Sequence, residues 1–414
     1  MELNKQLKKI LLITPGQPSL NPRLVKEADS LANAGYEVTV LYAYWNSWGD
    51  QLNSNLLLTK KWKAIYAGGH PVEKPVVYFF SRLIHKLAKW LFNTFNLGFC
   101  AELAITRGAG FLVHEAKKHR AGLYIGHNLG ALAATVKAAK KHNAKCGFDA
   151  EDLHRYEVSD NIRSAPYRTA KYIEDKYYLS LDYVTASSPQ ISEAYQQLYP
   201  DKKPVTILNV FPKSAYTKQR IINKTGPVRL FWFSQTIGNN RGLDDIAKAI
   251  KFLRPEDFEL HILGYIADDA KHEFINNTLM GISNIFFYDP LPPDDIINFA
   301  SQFDVGLALE PGFSINNELA LSNKLFSYLQ SGLAIIVSDT TAQEYFISGY
   351  PEAGKIYHRN DLQSLTPILS AWQLNRETLY NTCEAALMLG REKLNWENES
   401  IKFLSLIKET LNNN

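Results

Sequence analysis

Cysteine is scarce in this 414-residue chain. Its three examples, Cys100, Cys146 and Cys383, are scattered and lack CxxC spacing, which argues against a disulfide framework or a cysteine metal site. They read as reduced, buried thiols of a cytosolic protein. Excess charge is also missing: the net charge of +3 gives no footprint for nucleic acid. No stretch approaches the roughly 18 uninterrupted apolar residues of a membrane-crossing helix. The apolar run behind the charged start, near Ile10, is too short for a signal peptide and reads as a first strand. Internal repeats, low-complexity stretches and a DxD metal motif are absent as well, and no GxGxxG pattern follows the first strand. What remains is an ordinary globular composition, 46% hydrophobic and 21% charged, in a chain long enough for two domains.

The most informative stretch runs from Asp304 to Asp339. Val305 to Leu309 and Ala334 to Val337 read as strands, and Asn323 to Gln330 as a helix closed by Gly332. Strand, loop, helix and strand make a βαβ unit of a parallel sheet. The loop between, with Gly312 and Asn316-Asn317, carries the polar residues at the carboxyl end of the first strand, where open α/β sheets bind ligands. Amides around Gly312 and Phe313, a helix start at Ser322-Asn323 and the cation Lys324 suit a diphosphate. Glu310 suits sugar hydroxyls, since a carboxylate accepts two hydrogen bonds at once. The competing reading is a solvated loop with Ser322 as a plain helix cap.

Upstream, Lys9 to Thr14, a helix from about Pro22 that stops at Gly35, and Glu37 to Leu41 start a Rossmann-like domain. Residues 76–96 place Phe80, Leu83, Ile84, Leu87, Trp90, Leu91 and Phe95 on one helical face, with Arg82, His85, Lys86 and Lys89 elsewhere. Two readings stand: a basic amphipathic helix on an anionic membrane surface, or a core helix with a solvated back. His127 falls at the end of a strand, before a Gly-containing loop and an Ala-rich helix, and is expected to face the cleft. Asp149, Glu151, Asp152, His154, Arg155 and Glu157 form a polar cluster that either organises an acceptor hydroxyl or neutralises itself. Residues 213–227 are polar and aperiodic and read as a linker. Beyond it, Val228 to Ser234 starts a second Rossmann-like set. The turn with Gly238 and Gly242 offers amides to a phosphate, and Arg241 offers a fork-shaped cation.

Glu310-Pro-Gly followed by the run from Leu321 to Leu333, together with the loop 234–242, resembles the donor-site signature of GT-B glycosyltransferases of the family 4 type. Supporting likenesses run through nearly the whole chain: Ser-Leu-Asn-Pro-Arg at 19–23, the Asp149 to His154 segment, Asp182 to Ser188, Asn209 to Pro212, and the last helix. The resemblance implies an α/β GT-B architecture, two Rossmann-like domains with parallel sheets facing across a cleft. The acceptor domain would be 1–212, the nucleotide-sugar domain 228–397, and 398–414 a helix returning to the first domain. It implies a hexosyltransferase-like enzyme that retains configuration and needs no metal or cofactor. The donor would be a nucleotide-diphosphate sugar and the acceptor a glycan or a lipid-linked sugar. Polysaccharide or cell-envelope synthesis in the cytoplasm, at the inner membrane face, is the setting that goes with it.

By the same resemblance His127 and Glu310 are catalytic, and Arg241, Lys324, Gly312 and Phe313 hold the diphosphate. Gly238, Gly264, Asn323 and position 327 meet the nucleotide and sugar. Arg23, Asp149, Asp152 and His154 lie on the acceptor side, although Arg23 reads equally as an exposed helix residue. Two departures stand out. The glutamate that holds the ribose in the family should fall at 327, which here is Ser327; spacing from Glu310 also reaches Glu318, but the helix register favours 327. Ser234-Gln235 replaces the usual Gly-Arg. A sugar-nucleotide epimerase and a non-catalytic nucleotide-sugar binder are the alternatives, and fold alone does not separate them.

Overall fold

The structure, a computed structural model, describes residues 8–213, 225–239 and 241–412. They form two compact units. The first takes the described residues up to Leu208 with 314–316 and those from Ser400; the second takes those of 209–313 and 317–399. Most of the expected linker, 214–224, lies outside the described residues.

The first unit is built on strands β1 (Lys9–Thr14), β2 (Glu37–Ala43), β3 (Lys63–Ala67), β4 (Leu123–His127), β5 (Lys145–Ala150), β6 (Tyr183–Ala186) and β7 (Val205–Thr206). They pair in parallel in the order β3-β2-β1-β4-β5-β6-β7. Residues Ile10–Ile13 of β1 and all of β4 are buried, as expected of strands covered by helices on both faces. Helices α1 (Pro22–Asn33), α2 (Ser47–Leu58), α3 (Pro75–Phe95) and α4 (Leu129–His142) belong to this unit.

The second unit repeats the plan with β8 (Val228–Thr236), β9 (Phe258–Tyr265), β10 (Ile285–Tyr288), β11 (Val305–Ala308), β12 (Ala334–Ser338) and β13 (Gly354–Tyr357). These pair in parallel in the order β10-β9-β8-β11-β12-β13. In both sheets the chain builds outward from the first strand on one side, then crosses to the other. The reversals lie between β1 and β4 and between β8 and β11. At the carboxyl ends of such strands the connecting loops part and leave a crevice.

The expected βαβ unit is β11, helix α5 (Asn323–Ser331) and β12, with Gly332 at φ 68° closing the helix through amide bonds to Tyr328 and Leu329 carbonyls. The loop before α5 is not wholly irregular, because Ile315–Leu319 forms a short helix. The final helix, Trp396–Asn412, begins two residues earlier than the expected start at 398.

Helix α3 corrects the core-helix reading. Its inward stripe is Tyr78, Ser81, His85, Ala88 and Phe92, while Phe79, Phe80, Leu83, Ile84, Leu87, Trp90 and Phe95 are exposed. The helix ends on Asn96 in the left-handed conformation, φ 53°. No helix among the described residues is long and apolar enough to cross a membrane.

Gly306 in β11 sits where a Cβ would strike the ring of Tyr328, whose hydroxyl donates to the Leu307 carbonyl at 3.1 Å. This contact sets the height of α5 above the strand. Gly306→Val is expected to destabilise the second unit by about 1–3 kcal/mol or more through overpacking, measured by urea unfolding.

Candidate functional site

In the second unit the polar residues converge at the β8–β11 reversal. Glu310 leaves β11 one residue after Leu309, and Lys324 is the second residue of α5. Lys324 Nζ donates to Glu310 Oε1 at 2.8 Å, Ser322 Oγ donates to the same oxygen at 2.7 Å, and Asn317 Nδ2 reaches Oε2 at 3.3 Å. Ser322 therefore does not cap the helix with its side chain. Burial pushes the Glu310 carboxyl up, but Lys324 and the two further donors outweigh it and hold its pKa at about 2. The Lys324 ammonium also lies 5.8 Å from the centre of the Trp232 ring.

The loop after β8 is pressed onto the same edge. At Gly242, φ 76°, a Cβ would come within 2.5 Å of the Leu309 Cβ. This places Arg241 beside the start of the Glu310 loop with its guanidinium exposed and a bond to Thr236 Oγ1 at 3.5 Å. Gly238, Asn239 and Arg241 line a depression of about 180 Å³. Gly264, at φ 154°, packs against the Ser234 carbonyl, where any Cβ would collide. Asn323 is exposed and accepts from Asn209 Nδ2 at 2.9 Å, and Phe313 is 68% exposed.

Two expectations are corrected here. The Gly312 amide is not open to a ligand, since it donates to Asn317 Oδ1 at 2.6 Å. Ser327 is buried, its hydroxyl turned back to the Asn323 carbonyl at 3.2 Å, so it does not stand at the ligand edge. Glu318 is no free substitute. It binds Arg359 Nη1 at 2.6 Å, and Arg359 also binds Asp339 at 2.6 Å and the Pro311 carbonyl at 2.9 Å. Arg359 thus braces the Gly312 loop, where a Cβ on Gly312 would collide with it. The sequence reading missed it, although its place two residues beyond β13, at the same sheet edge, is a signal that spacing alone supplies.

The first unit gathers charge at the β1–β4 reversal. Arg23, expected at the surface or in the cleft, is 1% exposed. Its Nε and Nη2 bind Asp149 at 2.5 and 2.8 Å, and Nη1 binds the Ile207 carbonyl at 2.6 Å. Thr185 Oγ1 also donates to Asp149, at 2.7 Å. His127 does not face outward either. It is wholly buried, with Nε2 3.2 Å from Glu27 and Nδ1 3.4 Å from Asp149 and 3.6 Å from Glu151. Burial alone would lower its pKa, but Glu27, Asp149 and Glu151 raise it well above the ordinary histidine value. Asp149 is held well below the usual carboxylate range, since Arg23 and His127 overcome its burial. Glu27, buried on α1, was not anticipated. Of this group Glu151 is the member that reaches solvent, and it accepts from Asn21 Nδ2 at 2.6 Å.

The remaining acceptor-side candidates are largely engaged in the protein. Asp152 is half-buried and accepts from Asn316, which also accepts the Leu153 amide; burial and the nearby Glu157 raise the Asp152 pKa to about 6. His154 is buried, and although burial lowers its pKa, Glu157 raises it to about 9. Arg155 is tied to Glu174 and Tyr199, both at 2.6 Å, as the neutralising reading allowed.

With this geometry the chain has the GT-B glycosyltransferase fold. A glycosyltransferase from Rickettsia africae superposes with TM-score 0.67 at 15% identity, covering 98% of this chain and 99% of that one. Anabaena Alr3699/HepE, solved with UDP and glucose, gives 0.67 at 13% identity over 97% and 99%. WaaG, a glycosyltransferase of lipopolysaccharide biosynthesis, gives 0.62 at 13% over 96% and 99%. A UDP-N-acetylglucosamine 2-epimerase shares the fold at 0.55. No protein-family model and no curated protein matches the sequence.

Glu310 supplies a pH test. Its folded pKa of about 2 lies below the ordinary 4.5, so its stabilisation is complete above about pH 4.5 and is lost as pH falls toward 2. Lys324→Met leaves the buried carboxylate unpaired, with an expected cost of about 3–5 kcal/mol at neutral pH. The gap between variant and wild type is expected to narrow through that acid window, read from denaturant melts at stepped pH.

Proposed function

We propose that the protein transfers a sugar from a nucleotide-diphosphate donor to a lipid-linked or glycan acceptor. The observation that carries this reading is the convergence of Arg241 and Lys324 on one sheet edge, at the strand-order reversal of a fold that elsewhere holds UDP and glucose. When the bond from the anomeric carbon to the diphosphate oxygen breaks, negative charge builds on the leaving group. Two cations, Lys324 held by Glu310 and the exposed Arg241, would stabilise that charge where it develops, which is usually the largest electrostatic contribution. They supply the positive charge that a metal ion provides in other sugar transferases, so the reading includes no metal.

Glu310 holds the Lys324 ammonium in place and orients the donor sugar. Retention follows if the acceptor oxygen enters on the face the diphosphate leaves. The acceptor proton then passes to a diphosphate oxygen, the nearest base on that face. On the acceptor side Glu151 is the partly open outlet of the charge group around His127, and it receives a sugar hydroxyl while His127 fixes its position. The outward apolar face of α3, with Arg82, Lys86 and Lys89 also exposed, favours docking on an anionic membrane surface. A lipid-linked acceptor for envelope or polysaccharide synthesis at the cytoplasmic face fits that placement.

A thermal-shift series with UDP, GDP, ADP and TDP sugars tests the donor site. One nucleotide class is expected to raise the melting point, since a ligand at about 100 times its Kd adds roughly 2.7 kcal/mol to the native state. Arg241→Ala and Lys324→Ala are each expected to lose that rise. Stabilisation by none of them would favour a non-catalytic role. On the membrane side, Leu83→Asp with Leu87→Asp is expected to reduce co-flotation with anionic vesicles about tenfold or more, while the nucleotide shift persists.

A further inference from the structure

The head of helix α3 carries a group of side chains that the donor and acceptor sites above do not use. Trp45 lies two residues beyond β2, Tyr78 stands in the first turn of α3, and Arg107 sits in the turn before the helix Ala109–Ala116. Arg107 Nη1 donates to the Tyr78 hydroxyl at 2.9 Å and Nη2 to the Trp45 carbonyl at 2.7 Å. Its guanidinium lies 5.7 Å from the centre of the Trp45 ring and 5.6 Å from that of Tyr78. A second guanidinium, Arg82, lies 5.6 Å from the centre of the Tyr78 ring. The turn that presents Arg107 is fixed, because a Cβ on Gly108 would stand 2.7 Å from the Ala43 Cβ.

Among the described residues neither Arg82 nor Arg107 is ion-paired with a carboxylate. Arg107 uses two of its five N–H groups on Tyr78 and Trp45, and three remain for another acceptor. The rings of Trp45 and Tyr78 flank the Arg107 guanidinium in a cation–π arrangement. Two guanidinium forks around one tyrosine suit a doubly charged oxyanion, and phosphate matches their planar geometry.

The position identifies where that phosphate comes from. The exposed apolar residues of α3 run from Val76 and Val77 on to Phe79 and Phe80, so the arginines lie at the helix-head end of that face. β2 and β5 stand three places apart in the sheet, about 14 Å at the usual strand spacing. A sugar joined to a phosphate at Arg107 would extend along this edge toward Glu151, just beyond β5.

We propose that Arg107 and Arg82 seat the phosphate of a membrane lipid that carries the acceptor sugar, so that the acceptor belongs to the phosphate-linked lipids. This rests on the glycosyltransferase reading and names the acceptor class for it.

The test is flotation of the full chain with phosphatidylcholine vesicles made equally anionic by either phosphatidic acid or oleic acid. The wild type is expected to bind phosphatidic acid vesicles about fivefold or more better than oleic acid vesicles, the margin of a lost charge-assisted phosphate contact. Arg107→Ala and Arg82→Ala are each expected to reduce that margin, and the double variant to remove it, while binding to oleic acid vesicles falls only by the share of the deleted surface charge that both vesicle types feel equally. Arg107→Lys, which keeps the charge and loses the fork, is expected to recover only part of it. Equal binding of the wild type to both vesicle types, or a margin intact in both alanine variants, overturns the proposal. Displacement from phosphatidic acid vesicles by low glycerol 3-phosphate would assign the seat to a soluble phosphate and overturn the lipid source. The nucleotide thermal shift, run on the same samples, separates the two readings: its loss in the wild type with the phosphatidic acid margin intact removes the donor reading and leaves the seat.

Discussion

A cation in the first turn of a helix opposes the helix dipole, and the chain does this at the strand-order reversal of both sheets. Arg23 is the second residue of α1 and Lys324 the second residue of α5. Each is held by a carboxylate at or just beyond a strand's carboxyl end, Asp149 from β5 and Glu310 from β11. Neither partner would be tolerated there alone, because a buried charge without its counter-ion costs several kcal/mol. The strand ends and the helix starts are therefore locked together by charge. The loops that carry Glu151 and Gly312 hang from those locked points. The two cations stand at equivalent places in the two units, each at the second position of its helix.

Helix α3 shows a second constraint. Its inward stripe offers little apolar material, with a serine, a histidine and an alanine among five residues. His85 is kept inside by a bond to the Leu103 carbonyl at 2.8 Å, and Ser81 by one to the Tyr78 carbonyl at 2.7 Å. Phe92 aside, most of the larger apolar residues point away from the unit. An exposed contiguous apolar face with basic neighbours and no acidic residue between Pro75 and Phe95 is a surface that needs a partner.

How far the sequence carries can be judged residue by residue. The βαβ unit around Glu310 was legible because an apolar run, a helix start and Gly332 are local signals, each set by the residues that show it. The amphipathic pattern of 76–96 was legible too, but not its direction. Periodicity reveals that a helix has two faces and is silent on which one the fold covers, and the stripe that is covered here is polar enough to escape notice. His127 was placed correctly at a strand end. Its burial was not visible, because Glu27, one hundred positions earlier, closes over it only once α1 packs on the sheet. Ser327 illustrates the same gap: register identified the position, while burial is decided by what α5 packs against. Arg359 needed only the observation that β13 ends at the same edge.

The two ion pairs differ in one respect that bears on what each half does. Arg23 and Asp149 are each 1% exposed. Lys324 and Glu310 keep 15% and 17% of their side-chain surface open. A sealed pair cannot trade its partner for a ligand without exposing a buried charge, so it acts as a fixed support. An open pair at a sheet's reversal point can take a third charged group, with Glu310 holding the ammonium until an anion arrives and sharing it afterwards. The same device thus serves as scaffold in the first unit and as a candidate anion site in the second. Under the proposed function, any ligand of the first unit would meet Glu151 and the arginines at the head of α3, outside the sealed core of charge.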